Sequence, residues 1–255
     1  MIDEETLVRD AHTKVQSLSG KRVIVTGGTT GIGRAIAILL ASEGAKVHVS
    51  GRDPDHLSDA LEYISEVGEG GGTAIDLGKP GEVARYFAEA TAWLGGLDIA
   101  VINAAIPAEG LTDMSADELE YAIAVDFTAY LTSAHAAAQA IGDGDIVLMG
   151  SMAAHSLGPS STVYAGIKAG IAGFSEALRQ ELGPKGIRVV LVEPGKTGAD
   201  FQLPDIPLEK QRAMIEEESL LRAQDIAVGV HYALTQPRRT VVQQLTIVPR
   251  ALPSE

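Results

Sequence analysis

The sequence predicts an α/β fold: a single domain built on a doubly wound parallel sheet of about seven strands, with helices on both faces. Three observations predict it. Short β-branched runs alternate with longer helical patterns along the chain, from "RVIVT" at 22–26 to "LTIV" at 245–248. Strands separated by helix-length segments imply right-handed crossovers, which build parallel sheets covered on both faces. The 255 residues, 45% hydrophobic and 21% charged, suit one α/β domain with a sizeable core, and no linker divides them.

Taken in order, residues 1–19 are acidic and polar and read as a helical extension of a domain spanning 20–255, not as a secretory signal or transit peptide. The first strand leads into a helical pattern over 31–43. "KVHVS" at 46–50 precedes a helix at 55–67. "GEGGGT" at 68–73 reads as a surface turn, with a short strand "TAI" at 73–75 behind it and a helix at 82–93. "IAVIN" at 99–103 and "DIVLMG" at 145–150 bracket a helical pattern over 117–140. Helix 161–182, the strand "RVVLV" at 188–192 and helix 223–235 lead to the last strand. Residues 197–221, with "LPDIPLE" inside them, are poorly patterned and read as a mobile substrate lid.

Composition removes several functions. A formal net charge of −14 argues against nucleic-acid or anionic-membrane surfaces, which need basic patches. The absence of cysteine excludes disulfides, thiol nucleophiles and thiolate metal sites, and no apolar run reaches the ~18 residues of a membrane span. A soluble, cytoplasmic protein is the expectation.

Ligands of such sheets bind outside the carboxyl ends of the strands, so chemistry is sought just after each run. Gly27, Gly31 and Gly33 follow the first strand and open a helix. That arrangement suits a pyrophosphate facing a helix N-terminus, and equally a plain tight turn. "PGKTG" at 194–198 ends like a P-loop but has Val190 where that motif needs glycine. Tyr164 and Lys168 lie four apart on a helical pattern, hence on one face, where an ammonium favours the phenolate; ordinary solvated helices also carry such pairs. Ser151 ends the fifth strand, thirteen residues before Tyr164, where serine also suits a turn or cap.

Together the glycine loop, Ser151, Tyr164 and Lys168 resemble the classical short-chain dehydrogenase/reductase family over nearly the whole chain, about 18 to 248. Thr26 and Ile32 complete its T-G-x-x-x-G-I-G pattern. The resemblance implies an oxidoreductase moving hydride between a nicotinamide dinucleotide and a carbonyl or secondary alcohol, with no metal. Tyr164 would exchange a proton with the substrate oxygen and Ser151 would hydrogen-bond that oxygen. Lys168 would bind the nicotinamide ribose and lower the tyrosine pKa. Gly27, Thr29, Thr30, Gly31, Ile32 and Gly33 would cradle the pyrophosphate, and Asp76 and Leu77 would lie beside the adenine. Asn103, Ala104, Pro194 and Gly195 complete the cofactor side.

Several positions depart from the family pattern. Where members that prefer NAD carry an acid at the end of strand two, this chain has Gly51 followed by Arg52. Ser50 and Arg52 therefore point to NADP, unless Arg52 merely decorates a turn or pairs with Asp53. The usual threonine after the Pro-Gly turn reads Ala199, with Thr197 as a substitute, and Ala105 replaces a glycine. The family's catalytic asparagine corresponds to Asp126, which puts its water-mediated proton relay in doubt. His155 can face substrate.

A cofactor-sensing protein without turnover is the rival function. A serine hydrolase is disfavoured because "MGSMA" lacks G-x-S-x-G. The small residues Ala165, Gly166, Ala169, Gly170 and Gly173 of helix 161–182, with helix 117–140, imply by resemblance a homodimer or homotetramer. Close packing onto the protein's own sheet is the alternative.

Overall fold

The computed structural model describes residues 15–155, 157–198 and 206–251. Seven parallel strands form one sheet in the order β3-β2-β1-β4-β5-β6-β9, comprising β1 (Arg22–Val25), β2 (Lys46–Gly51), β3 (Glu69–Ala74), β4 (Leu97–Ile102), β5 (Ile141–Met149), β6 (Ile187–Pro194) and β9 (Gln244–Ile247). The β-branched runs dictate both faces. Val23, Val25, Val47, Val49, Val190 and Val192 point to one side, against α1 (Gly31–Ser42) and α8 (Ala223–Thr235). Ile24, Ile102, Ile146, Leu148, Val189 and Leu191 point to the other, against α3 (Glu82–Leu94), α5 (Ala129–Ala140) and α6 (Thr162–Leu182). Such two-sided burial explains why these strands read as continuous apolar runs.

Chain order reverses between β1 and its neighbour β4, which register Val23 against Ile99 and Val25 against Val101. The loops after those two strands diverge to opposite faces, and the crevice between them is where such sheets take ligands.

Three expectations need correction. The glycine run at 68–73 is not a surface turn: it forms edge strand β3, paired in register with β2 from Lys46↔Glu69 to Gly51↔Ala74. Packing explains the choice. A Cβ on Gly70 would lie 2.4 Å from Ile64, on Gly71 2.9 Å from Trp93, and on Gly72 2.6 Å from Leu57. Bare backbone lets α2 (Pro54–Ser65) and the end of α3 press directly onto the strand, and this overrides weak β-propensity.

Secondly, the pattern at 117–140 is not one helix. A five-residue π turn, Ala124–Thr128, separates α4 (Ala116–Ile123) from α5, and its widened turn carries Val125 and Asp126 inward. Thirdly, residues 197–221, though poorly patterned in sequence, include regular elements: β7 (Thr197–Gly198) pairs with β8 (Leu221–Arg222), and α7 spans Leu208–Glu216. Within that expected lid, residues 199–205 lie outside the described residues, as do residues 1–14 of the expected N-terminal helix. Residues 15–18 are not helical, and Gln16 N–H donates to Thr235 O at 2.7 Å.

Candidate active site

A cleft of about 660 Å³ opens along the carboxyl ends of β1, β2, β4, β5 and β6. Its floor follows from a few local interactions. Thr26 directly follows β1, and its Oγ1 accepts the N–H groups of Asn103 at 2.9 Å and Ala104 at 3.1 Å. Asn103 Nδ2 in turn donates to the carbonyls of Thr26 and Gly27. The two strand ends are thereby locked together. Gly27 adopts φ +63°, and a Cβ there would stand 2.7 Å from Ala104 Cα, so the approach requires glycine. Gly33 is a packing residue and does not line the cleft: a Cβ on it would meet Gly27 O at 2.1 Å.

Thr29, Thr30, Gly31 and Ile32 line the cleft where α1 begins. Thr30, the N-cap, makes no side-chain capping bond, and no acidic residue occupies the first turn. The helix N-terminus is left open to an anion, which fits a pyrophosphate.

At the far end of the cleft lie Ser50, Arg52, Asp76 and Leu77. Ser50 O accepts from Gly28 N–H, tying β2 to the glycine loop. An acidic side chain at Gly51 has no room, because its Cβ would come within 2.3 Å of Thr29 Oγ1. Asp53 does not pair with Arg52; it caps α2 by accepting from the N–H groups of Asp55 and His56. Arg52 instead donates from Nη1 to the Tyr121 hydroxyl at 2.9 Å.

Tyr164 and Lys168 line the opposite end, with Tyr130 and Met149. Lys168 is buried, and its Nζ donates to Met149 O at 2.9 Å and to the Tyr130 hydroxyl at 3.3 Å. Nζ lies 5.5 Å from the centre of the Tyr164 ring. Burial lowers the lysine to about 8, and the Asp126 charge opposes that shift. Ser151 caps the short turn Met152–Ala154 through Ala153 N–H, and its hydroxyl is near enough to Tyr164 to favour the phenolate.

Asp126 does not line the cleft; it stands behind it, fully buried. Oδ1 accepts Ile106 N–H at 2.8 Å, and Oδ2 has no hydrogen-bond partner. Burial raises this carboxyl to about 6, against the pull of Lys168, Ile106 N–H and Arg52. Tyr164 itself is pushed up to about 12 by burial and by the Asp126 charge, with the Ser151 hydrogen bond working the other way. The expected lowering of Tyr164 by Lys168 is therefore not expressed in this structure, because the lysine's hydrogen bonds go to Met149 and Tyr130 and desolvation dominates the phenol.

At the end of β6, Pro194 lines the cleft, whereas Gly195 donates its N–H to Ile247 O. Thr197 is buried with its hydroxyl donated to Gly195 O at 2.9 Å, so it braces the turn and does not line the cleft. Ala199 lies outside the described residues. His155 is half-exposed, and its Nε2 meets the fully buried Glu193 carboxylate at 2.9 Å. Sequence reasoning missed Tyr121, Tyr130 and Glu193, none of which sits on a motif; Tyr130 and Glu193 are polar within apolar patterns, whereas Tyr121 in "ADELEYAI" carries no such signal. Among the described residues no cluster of side chains suits a metal, and no helix is long and apolar enough to cross a membrane.

The family model for short chain dehydrogenases matches residues 21–205. An uncharacterized oxidoreductase of Staphylococcus aureus is 32% identical over 91% of this chain and 98% of its own. A short chain dehydrogenase from Burkholderia cenocepacia, solved in complex with NADP, superposes with a TM-score of 0.82 at 32% identity, covering 91% of this chain and 98% of that one. A blue fluorescent protein from a metagenomic library, solved in complex with NADPH, gives 0.82 at 26% identity, covering 92% and 98%. The glycine loop at the β1/β4 reversal, Ser151 after β5, and Tyr164 with Lys168 on α6 occur here on that shared frame, and the chain belongs to the classical short-chain dehydrogenase/reductase family of oxidoreductases.

Proposed function

We propose that the protein is an NADP(H)-dependent carbonyl reductase, running the ketone or aldehyde to secondary or primary alcohol reaction with Tyr164 as proton donor. The observation that carries this reading is the pairing of Tyr164 and Lys168 at one end of a cleft, with Ser151 buried just behind its lining residue Gly150, while the other end holds Arg52 and has no room for an acid at Gly51. The dinucleotide supplies the hydride when bound. The open N-terminus of α1 would hold its pyrophosphate, and Arg52 its 2′-phosphate, since a guanidinium fork matches that group. Lys168, buried beside the Tyr164 ring, would hold ribose hydroxyls.

Tyr164 gives its phenolic proton to the substrate oxygen as the carbonyl is reduced, while the Ser151 hydroxyl holds that oxygen. A phenol raised to about 12 is protonated at neutral pH, which suits reduction and penalises alcohol oxidation, where the phenolate must act first. Ser151 lowers that penalty only as far as burial and Asp126 permit.

The test is a reduction screen over ketones, aldehydes and 3-oxo acids with NADPH, run beside Tyr164→Phe. We expect turnover of at least one class by the wild type, and a loss of roughly a thousandfold in the variant with cofactor binding retained. Near-wild-type turnover in the variant would sink the assignment. A sensor without turnover, the reading that Asp126 in place of the family's asparagine favours, predicts binding with no reduction in either protein.

Self-association belongs to the same proposal. Gly166, Ala169 and Gly173 face outward on α6, whereas Ala165 is buried and Gly170 abuts Phe127 within the chain. A monomer in light scattering would remove that part, and a cytoplasmic location is tested by fractionation.

A further inference from the structure

Tyr121 lies on α4, a helix fixed at its start by a reciprocal capping box between Ser115 and Glu118. It is outside every motif and does not line the cleft. Its ring packs so closely on Gly78 that a Cβ there would stand 2.9 Å from Tyr121 Cε2, which holds the phenol in one place. The hydroxyl makes two hydrogen bonds, accepting from Arg52 Nη1 at 2.9 Å and donating to Asp76 Oδ1 at 3.0 Å. The Arg52 guanidinium also lies 5.8 Å from the ring centre, within cation–π range.

The consequence concerns both of the groups it touches. Arg52 and Asp76 carry opposite charges at the same end of the cleft and, left alone, would close on each other as an ion pair. The hydroxyl stands between them and satisfies both: a charged donor feeds it, and it feeds a charged acceptor, so each bond is charge-assisted and each polarises the other. Arg52 gives up one of its five N–H donors to the phenol, and its remaining fork is available to a phosphate. Asp76 receives Tyr121 and Gly78 N–H on the same oxygen, Oδ1, so Oδ2 is left for an amine such as the exocyclic group of adenine.

We infer that Tyr121 is a positioning residue for cofactor choice, a spacer that keeps Arg52 and Asp76 apart and aimed into the cleft so that a 2′-phosphorylated adenosine is preferred over an unphosphorylated one. This rests on the reading of the cleft as an NADP(H) site. Tyr121→Phe keeps the ring against Gly78 and removes only a partly exposed hydroxyl, so it does not threaten the fold.

The experiment is calorimetric titration of NADPH and NADH into wild type, Tyr121→Phe, Arg52→Ala and the double variant. Loss of a charge-assisted contact predicts that Tyr121→Phe weakens NADPH roughly tenfold and NADH no more than about threefold, lowering the selectivity ratio. In the Arg52→Ala background the same change leaves the ratio unmoved, because its effect runs through the guanidinium. A ratio that falls in Arg52→Ala but not in Tyr121→Phe overturns the spacer role alone. An equal fall from Tyr121→Phe in both backgrounds also overturns it. No change in the ratio on removing Arg52 overturns the NADP(H) reading and the inference with it.

Discussion

The two ends of the cleft are built on different physics. Its glycine-loop end is made by backbone and space: Thr26 and Asn103 lock neighbouring strand ends, Gly27 and Gly33 permit contacts no side chain would survive, and α1 opens uncapped. The end around Tyr164 is made by buried ionisable groups, with Asp126 raised to about 6, Lys168 lowered to about 8 and Tyr164 raised to about 12. The first end should respond to shape and barely to pH; the second should do the reverse. One end is thus rigid in shape while the charge states of the other stay adjustable.

The largest expected effect lies at the charged end. Lys168→Met removes the stronger of the two cations acting on Asp126 and the donor to Met149 O and Tyr130. Loss of that cation leaves the buried Asp126 charge less compensated and Met149 O without its donor, at about 1–3 kcal/mol for the unsatisfied group, and we expect the loss in denaturant unfolding to shrink as Asp126 is protonated below pH 6. A loss equal at pH 5 and pH 8 would show that packing, not charge, dominates.

At the steric end, Gly51→Asp should not convert the protein to NADH. A Cβ 2.3 Å from Thr29 Oγ1 must displace the loop, and we expect both cofactors to weaken, by roughly a hundredfold if two or three hydrogen bonds are lost. Gain of NADH binding in a titration would mean that Thr29 yields freely and the end is softer than the comparison holds. Arg52→Ala, the charged exception at this end, should weaken NADPH by roughly ten- to a hundredfold and leave NADH nearly unchanged.

Asp126→Asn gives the smallest effect and the sharpest contrast. Removing the charge that raises Tyr164 should move the acidic limb of the alcohol-oxidation kcat/KM profile downward by up to about one pH unit, and leave cofactor affinity alone. An unmoved limb would place the relevant influence on the backbone. Stability carries a linked sign. A carboxyl whose folded pKa is raised is best tolerated below its unfolded value near 4 and costs stability as pH rises through 6. The melting temperature of Asp126→Asn relative to wild type should therefore climb between pH 4 and pH 7, by a few degrees for a gain on the order of 1 kcal/mol.

What the sequence disclosed divides along the same line. Strands with β-branched runs such as 22–25 and 187–192 were legible because burial on two faces leaves no other composition. The glycines after β1, Ser151, Tyr164 and Lys168 were legible as a spaced pattern. Edge strand β3 was not, since its glycines signal turns locally and only the neighbouring Ile64, Leu57 and Trp93 explain them. Nor was the π turn at Asp126, whose widening registers no change in hydrophobic period. Tyr121 and Glu193 were invisible because their partners lie 45 and 69 residues away for one and 38 and 51 for the other, distances over which no local pattern reports.

The bare strand β3 has one further consequence. Its residues lie at the rim of the sheet and are partly accessible, a setting in which replacements are ordinarily tolerated. Yet every side chain introduced at Gly70, Gly71 or Gly72 meets a neighbour closer than 3.0 Å. In a saturation-mutagenesis library scored for folded protein, these three positions should be depleted as severely as the interior of β1, giving a fingerprint of a core in a place that solvent can reach.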